Sequence, residues 1–414
     1  MKIIITIIIL MFALALEAQP QWVHYTMSNS GLPSNIVSTV LIDSNNVKWI
    51  TTGNGFVRLK GNTWTVYDTT ISGMPSNGCG FIVQDKQNNL WITIPNKGLA
   101  KFDGINWTVY NDENVGYVIH SNTSLCIDNL NTKWVGYAGG LLEYNDTVWT
   151  RYYTGNSGIP SNGIFRVFCE GNIIWVGTVD AGSGRFDGQN WTTYNVYNSG
   201  LPHNWISRIN KDLNNNIWFA TSGGGIAKFN YLQNQWTLYN TYNSSIPSNY
   251  VSVVYIDNNN AKWIGTYDGF AIFNDTTWQV FPSSFIGAVG NFSKDRYGNI
   301  WICSGGGLFV YNPNGVVGVD NISTIVPENF EFLQNYPNPF NPRTVISVQL
   351  PVSGEVLLKV YDVMGREVQT LVNERLNAGT YSVTFDGSNL SSGVYFYKLQ
   401  SGDFTSVKRM VLIK

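Results

Sequence analysis

Short apolar segments that alternate with polar residues recur along most of the chain, cut by clusters of Gly, Asn, Asp and Ser. In the first unit, residues 37–42 form one such segment and run into Asp43. A second begins at Trp49, a third at Phe56, and the fourth is Trp64-Thr-Val-Tyr67. Between them stand Asp43-Ser-Asn-Asn46, Thr52-Gly-Asn-Gly55 and Lys60-Gly-Asn-Thr63, all of turn-forming composition. The pattern predicts four short strands, here lettered a to d, joined by tight turns.

Fourteen of the 15 tryptophans place this unit in a repeat. Trp49, Trp91, Trp134, Trp175, Trp218, Trp263 and Trp301 open strand b, at spacings of 38–45 residues. Trp22, Trp64, Trp107, Trp149, Trp191, Trp236 and Trp278 open strand d, at spacings of 42–45. Four strands at that period describe a propeller blade, and seven members per series predict seven blades across residues 20–312. Trp64 and Tyr67 are three apart and are expected on opposite faces of their strand, both covered by neighbouring blades. No Trp-x-x-Tyr follows the last a-b-c set. Gln21-Trp-Val-His-Tyr25 is therefore expected to supply its strand d and close the ring, which removes the open edges.

Composition excludes several classes. Charged residues are 13% of the 414, against about 25% in an average soluble protein. Aromatics reach 14%, too many for a disordered chain, and the 41 glycines disfavour a helical one. A net charge of −2 offers no basic field for nucleic acid. Lys2, an apolar run over residues 3–16 and then Glu17-Ala-Gln-Pro20 read as a secretory signal peptide, residues 1–18. That run is shorter than the ~20 residues that span a bilayer, so no transmembrane segment is expected in the mature chain. Cys79, Cys126, Cys169 and Cys303 form no C-x-x-C pair and read as small buried apolar side chains. His24, His120 and His203 lack metal-ligand spacing.

Further elements recur in register. Asp43, Asp85, Asp128, Asp212, Asp257 and Asp295 precede the strand-b Trp by six residues, and the shorter fourth unit offers Glu170. A Gly/Ser-apolar-Pro-x-Asn turn surrounds Pro33, Pro75, Pro160, Pro202 and Pro247 but is missing from the third and seventh units. Together, as in Gly200-Leu-Pro-His-Asn204, Asp212-Leu-Asn-Asn-Asn-Ile-Trp218 and Gly224-Gly-Ile-Ala-Lys-Phe229, these resemble the two-component-regulator propeller repeat. The resemblance implies the scaffold. It does not carry over the sensor role, because no membrane helix, kinase or DNA-binding domain accompanies the repeats.

After Asn312 the repeats stop, residues 313–327 read as a linker, and tryptophan disappears. Alternating segments at 345–350, 356–363, 380–385, 394–399 and 406–413 predict a small immunoglobulin-like sandwich over residues 328–414. Leu333-Gln-Asn-Tyr-Pro-Asn-Pro-Phe-Asn-Pro342, Tyr361-Asp-Val-Met-Gly-Arg-Glu-Val368 and Leu390-Ser-Ser-Gly-Val-Tyr-Phe-Tyr-Lys398 follow in order, and the chain ends Val407-Lys-Arg-Met-Val-Leu-Ile-Lys414. This tail resembles the type A sorting domain of the type IX secretion system, itself similar to the immunoglobulin-like domain of a flagellar hook-capping protein. The resemblance implies a Gram-negative bacterium of the Bacteroidetes kind. It also implies the type IX machinery as partner and a secreted or surface-attached product. Pro337, Asn338, Pro339, Gly365, Gly393, Tyr395 and Lys414 carry the motif.

The expected fold is therefore all-β, a seven-bladed propeller followed by a sandwich. Catalytic chemistry is not visible. The Gly-rich b–c turns lack the helix and the Lys-Ser/Thr pair of a phosphate loop, and no Gly-x-Ser-x-Gly or Cys/His set occurs. Single aspartates in the a–b turns suit Asx turns better than a calcium loop, so neither metal nor cofactor is expected. Variation concentrates where the d→a loops meet the b–c turns. The position after the loop Asn is Ile36, Gly78 or Gly163 in three blades, but Trp205 and Tyr250 in blades five and six. These two, with Tyr137, Asp180, Tyr267 and Asp268 as polar handles, form the expected ligand face, suited to a sugar or an aromatic ligand; the alternative is that the two rings only plug the channel. A surface adhesion or scaffold role and a glycan-cleaving enzyme are the competing readings.

Overall fold

A carboxylate ahead of each strand-b tryptophan fixes the a–b hairpin of every blade. In the computed structural model, Asp212 Oδ1 accepts from the Asn214 and Asn216 amides at 2.9 and 2.8 Å. Its Oδ2 accepts from Trp218 Nε1 and Asn216 Nδ2, both at 2.9 Å. Asp43, Asp85, Asp128, Asp257 and Asp295 hold Trp49, Trp91, Trp134, Trp263 and Trp301 in the same way, at 2.8–3.3 Å. In the shorter fourth unit Glu170 reaches Trp175 Nε1 at 2.9 Å, its extra methylene making up for the missing residue. The turn needs one residue of positive φ, filled by Asn46, Asn88, Asn131, Asn215 and Asn260 and, in the fourth and seventh units, by Gly171 and Gly298.

The structure describes residues 21–61, 63–70, 72–117, 119, 122–312, 320–323, 327 and 329–414. The expected signal peptide lies outside them. The chain separates into two compact units, one of Trp22–Tyr311 and one of the carboxyl-terminal part.

In the first unit, seven four-stranded antiparallel sheets are seen among the described residues. Blade one comprises Val37–Ile42, Lys48–Thr52, Gly55–Lys60 and Thr63–Tyr67, and the next five repeat this order. The last joins Val289–Lys294, Ile300–Ser304 and Gly307–Asn312 to the amino-terminal Gln21–Tyr25, so the ring closes as the tryptophan count requires. Trp22 packs against Phe281 and Tyr311 on one side, and Tyr25 against Trp64 of blade one on the other. Trp64 belongs to the core shared with the last blade and Tyr67 to the core shared with blade two, the opposed faces their spacing demands. Most strand-d tryptophans stack on the strand-c aromatic beside them, as Trp236 does on Phe229 at 4.1 Å. Lysines opening strand b lie over the preceding blade's tryptophan: Lys48 on Trp301, Lys133 on Trp91 and Lys262 on Trp218.

Two features depart from the sequence reading. Cys126 and Cys169 are not separate buried thiols but a disulfide between the a strands of blades three and four, 43 residues apart. Cys79 and Cys303 are free and buried, as expected. Replacing both bridged cysteines by serine is expected to cost about 2–4 kcal/mol in urea unfolding; an unchanged midpoint would show that the crosslink is idle. The third and seventh units, which lack the proline turn, enter through single helical turns, Asp112–Val115 and Ser283–Ile286. These bury Val115 and Ile286 where other loops bury Leu32, Met74, Ile159, Leu201 and Ile246.

At Asp212 the clasp also contributes to acid sensitivity. Burial alone would raise the Asp212 pKa, but hydrogen bonds from Asn216 and Trp218 outweigh it and hold the carboxyl below its ordinary value. A depressed folded pKa contributes stability above the unfolded value of about 3.9, which is lost as pH falls through the folded one. Asp212→Ala leaves the buried Trp218 indole and the buried Asn216 amide without an acceptor, at about 1–3 kcal/mol for each buried group. The variant is expected to lose at least about 2 kcal/mol in urea unfolding at pH 7. A loss below about 1 kcal/mol would refute the clasp.

The second unit is a sandwich of two four-stranded sheets. One pairs Asp320–Ser323, Gly379–Asp386, Arg343–Leu350 and Glu331–Phe332; the other pairs Glu367–Leu376, Gly354–Tyr361, Gly393–Ser401 and Phe404–Leu412. Residues 320–323 are thus an edge strand, which shortens the expected linker. Glu367–Leu376 was not expected as a strand: the ladder it forms with Gly354–Tyr361 is interrupted twice, which breaks its alternation. The motif residues clamp this fold. Pro337, Asn338 and Pro339 are exposed, yet the Pro337 carbonyl accepts from Thr344 Oγ1 at 2.8 Å and the Asn338 side chain accepts from the Val411 amide at 3.0 Å. Gly365 makes the Asp362 hairpin turn at positive φ. Gly393 opens the strand on which buried Tyr395 donates to Ser391 O at 2.8 Å, and the Lys414 amide donates to Ser392 Oγ at 3.0 Å.

Candidate binding face

Backbone hydrogen bonds tie the d→a loops to the b–c turns at one end of the ring. Gly182 N–H donates to Asn204 O at 3.0 Å, Ser222 N–H to Trp205 O at 3.1 Å, Gly225 N–H to Asn249 O at 2.9 Å and Tyr267 N–H to Tyr250 O at 3.2 Å. Each loop is therefore held between the b–c turn of the preceding blade and that of its own. The loop asparagines add a second fixation: Asn204 and Asn249 accept from the amides of Val196 and Thr241, eight residues earlier. The glycine before the apolar residue lies on the strand-d tryptophan so closely that a Cβ at Gly200 would stand 2.4 Å from Trp236. These constraints make the loops rigid supports for the residue that follows the asparagine.

That residue is 40% exposed at Trp205 and 53% exposed at Tyr250. Phe165 of blade four meets the Trp205 ring edge to face at 6.0 Å. Tyr250 stacks on Tyr267, itself 60% exposed, at 5.9 Å. Asp268 follows Tyr267 and is exposed; Asp180 is exposed on the b–c turn beside Asn204. The structure thus gathers Trp205, Tyr250, Tyr267, Asp180 and Asp268 on one end of the ring.

Tyr137 does not join them. It is 2% exposed, sealed beneath the turn of its own blade, and a Cβ at Gly139 would strike its ring at 2.4 Å. Burial raises the pKa of its hydroxyl. The absence of a Cβ at Gly139 leaves room for the ring.

Exposed His203 belongs to the same face and was not anticipated. Its Nδ1 accepts from the Trp205 amide at 3.0 Å, the part played by Ser34, Ser161 and Ser248 in other blades. A Cβ at Gly223 would lie 3.8 Å from His203 and 3.7 Å from Tyr250, so the two rings flank that glycine. The signal was present in the sequence, where Pro-His-Asn replaces Pro-Ser-Asn.

Comparison with known proteins separates the two units. Residues 334–414 match the family model of the secretion system C-terminal sorting domain. The tail is thus a type IX sorting domain, and the protein is secreted or attached to the cell surface. No curated protein matches the chain. Among solved structures, the extracellular domain assigned to the hybrid two-component system BT3049 of B. thetaiotaomicron is similar at a TM-score of 0.63 and 18% identity, over 95% of this chain and 58% of that one. The chain therefore spans 58% of that relative's length. Virginiamycin B lyase from Staphylococcus aureus is similar at a TM-score of 0.56 and 12% identity, over 71% of this chain and 99% of that one. A streptogramin B lyase gives 0.56 and 14%, over 71% and 97%. At these identities the likeness shows a shared propeller fold. No helix among the described residues is long and apolar enough to cross a membrane.

Proposed function

We propose that this exported propeller binds a glycan on the end of the ring that carries Trp205 and Tyr250, and that the tail serves export alone. The binding part is residues 20–312 and the sorting part residues 328–414. The observation that supports the reading is the exposure of two aromatic rings on doubly anchored loops of adjacent blades. A side chain that merely filled the ring would be covered. Aromatic faces stack on the C–H faces of sugars, while Asp180, Asp268 and His203 offer hydrogen bonds to hydroxyls. Asp180 and Asp268 stand on blades four and six with blade five between them, so the reading is binding without cleavage.

A glycan array with the mature protein identifies the ligand, and titration calorimetry then compares variants. Trp205→Ala combined with Tyr250→Ala is expected to weaken binding at least tenfold with the melting temperature within a few degrees of the parent. Retained affinity, or no binding by the parent on the array, would overturn the proposal and favour a scaffold role.

A further inference from the structure

Strand a lines the axis of the ring, and one position on it differs sharply between blades. A bulge near the start of the strand precedes Thr39, Ser124, Arg166, Arg208, Val253 and Asn291, which occupy equivalent places in the a–b ladders. Four of these side chains are short. The two arginines, on adjacent blades four and five, are long and cationic.

Both arginines reach across the axis to one aromatic ring on blade two. The guanidinium carbon of Arg166 lies 4.7 Å, and that of Arg208 5.3 Å, from the Phe81 centroid. Arg166 also lies over Phe165 at 4.0 Å and donates from Nη1 to the Phe165 carbonyl at 2.8 Å. Phe165 in turn touches Trp205. Arg208 is three residues beyond Trp205, at most about 10 Å further along the strand. It makes no ion pair among the described residues.

Burial pushes the Arg166 pKa down to about 9, with the Arg208 charge adding to the effect, and burial lowers Arg208 to about 10. Both still carry their charge at neutral pH. Two like charges converging on one ring repel each other, and an anion between them would turn that repulsion into attraction. The planar fork of each guanidinium suits two oxygens of a tetrahedral or trigonal oxyanion.

We propose that the central channel holds a binding site for a small oxyanion, a sulfate, phosphate or carboxylate, formed by Arg166 and Arg208 over Phe81. This site does not depend on the aromatic face above it. Bound sulfate would neutralise the pair, with no covalent step.

Calorimetric titration of the mature protein with inorganic sulfate, at low millimolar concentration against chloride of matched ionic strength, tests the site. One-to-one binding is expected, weakened at least tenfold in Arg208→Gln and in Arg166→Gln. Arg208→Lys keeps the charge without the fork and serves should the glutamine variants fail to fold; it is expected to bind several-fold more weakly. A parallel titration with glucuronate distinguishes a free inorganic anion from the carboxylate of an acidic sugar. Binding of either probe that depends on the arginines supports the site. Absence of saturable binding by both probes, or affinity unchanged in the arginine variants, would overturn it.

Discussion

A chain truncated after residue 326 is expected to accumulate in the periplasm of a host with type IX secretion, while the full chain leaves the cell. The carboxyl-terminal part is a compact unit with its own core, built on Ile346, Leu358, Val383, Phe385 and Tyr397. Its family match lies wholly within residues 334–414. Removing it takes no residue from the seven blades, so the retained propeller is expected to melt as it does in the full chain. Fractionation and immunoblotting read the outcome. A truncated form found in the medium in amounts equal to the full chain would refute export through the tail.

Deletion of residues 19–27 from the recombinant mature protein is expected to lower its melting temperature by well over 10 °C. The deletion removes strand d of the last blade and uncovers the edge of Gly307–Asn312. It also removes Trp22 from the cluster with Phe281 and Tyr311, and Tyr25 from the seam with Trp64 and Trp301. His24, stacked on Phe309 and bonded to Gly306 O, is lost with them. Trp22 and Tyr25 are both half-buried, so each accounts for only part of the roughly 3–5 kcal/mol that truncating a fully buried aromatic costs, and the backbone ladder of the strand is lost with them. A melting temperature within 3 °C of the parent, by differential scanning calorimetry, would show that the ring does not rely on this strand.

The ring was legible because large residues mark its period. Each strand-b and strand-d tryptophan fills a fixed seam, so the spacing of Trp49, Trp91 and their successors reports geometry directly. The disulfide was not read, although Cys126 and Cys169 are one repeat apart and sit on adjacent innermost strands. Counting the cysteines by repeat position would have paired them. The helical turns at Asp112–Val115 and Ser283–Ile286 were missed because four residues are too few for periodicity to reveal. For the face, exposure was legible from the odd placement of Trp205, which no structural series explains. Tyr137 misled because its position matches an exposed turn, while the room that Gly139 leaves for an inward ring shows only in three dimensions.

The closing strand also imposes a timetable. The hydrogen bond between His24 and Gly306 joins residues 282 apart, so whatever delivers the chain amino end first leaves Gln21–Tyr25 without its partner through six blades. Until Gly307–Asn312 arrives, an edge rich in aromatics waits unpaired, the condition under which strands join the wrong neighbours. The sorting domain follows that last strand almost at once. A chain long enough to carry residues 334–414 therefore already contains Gly307–Asn312, the strand that Gln21–Tyr25 needs to complete the ring.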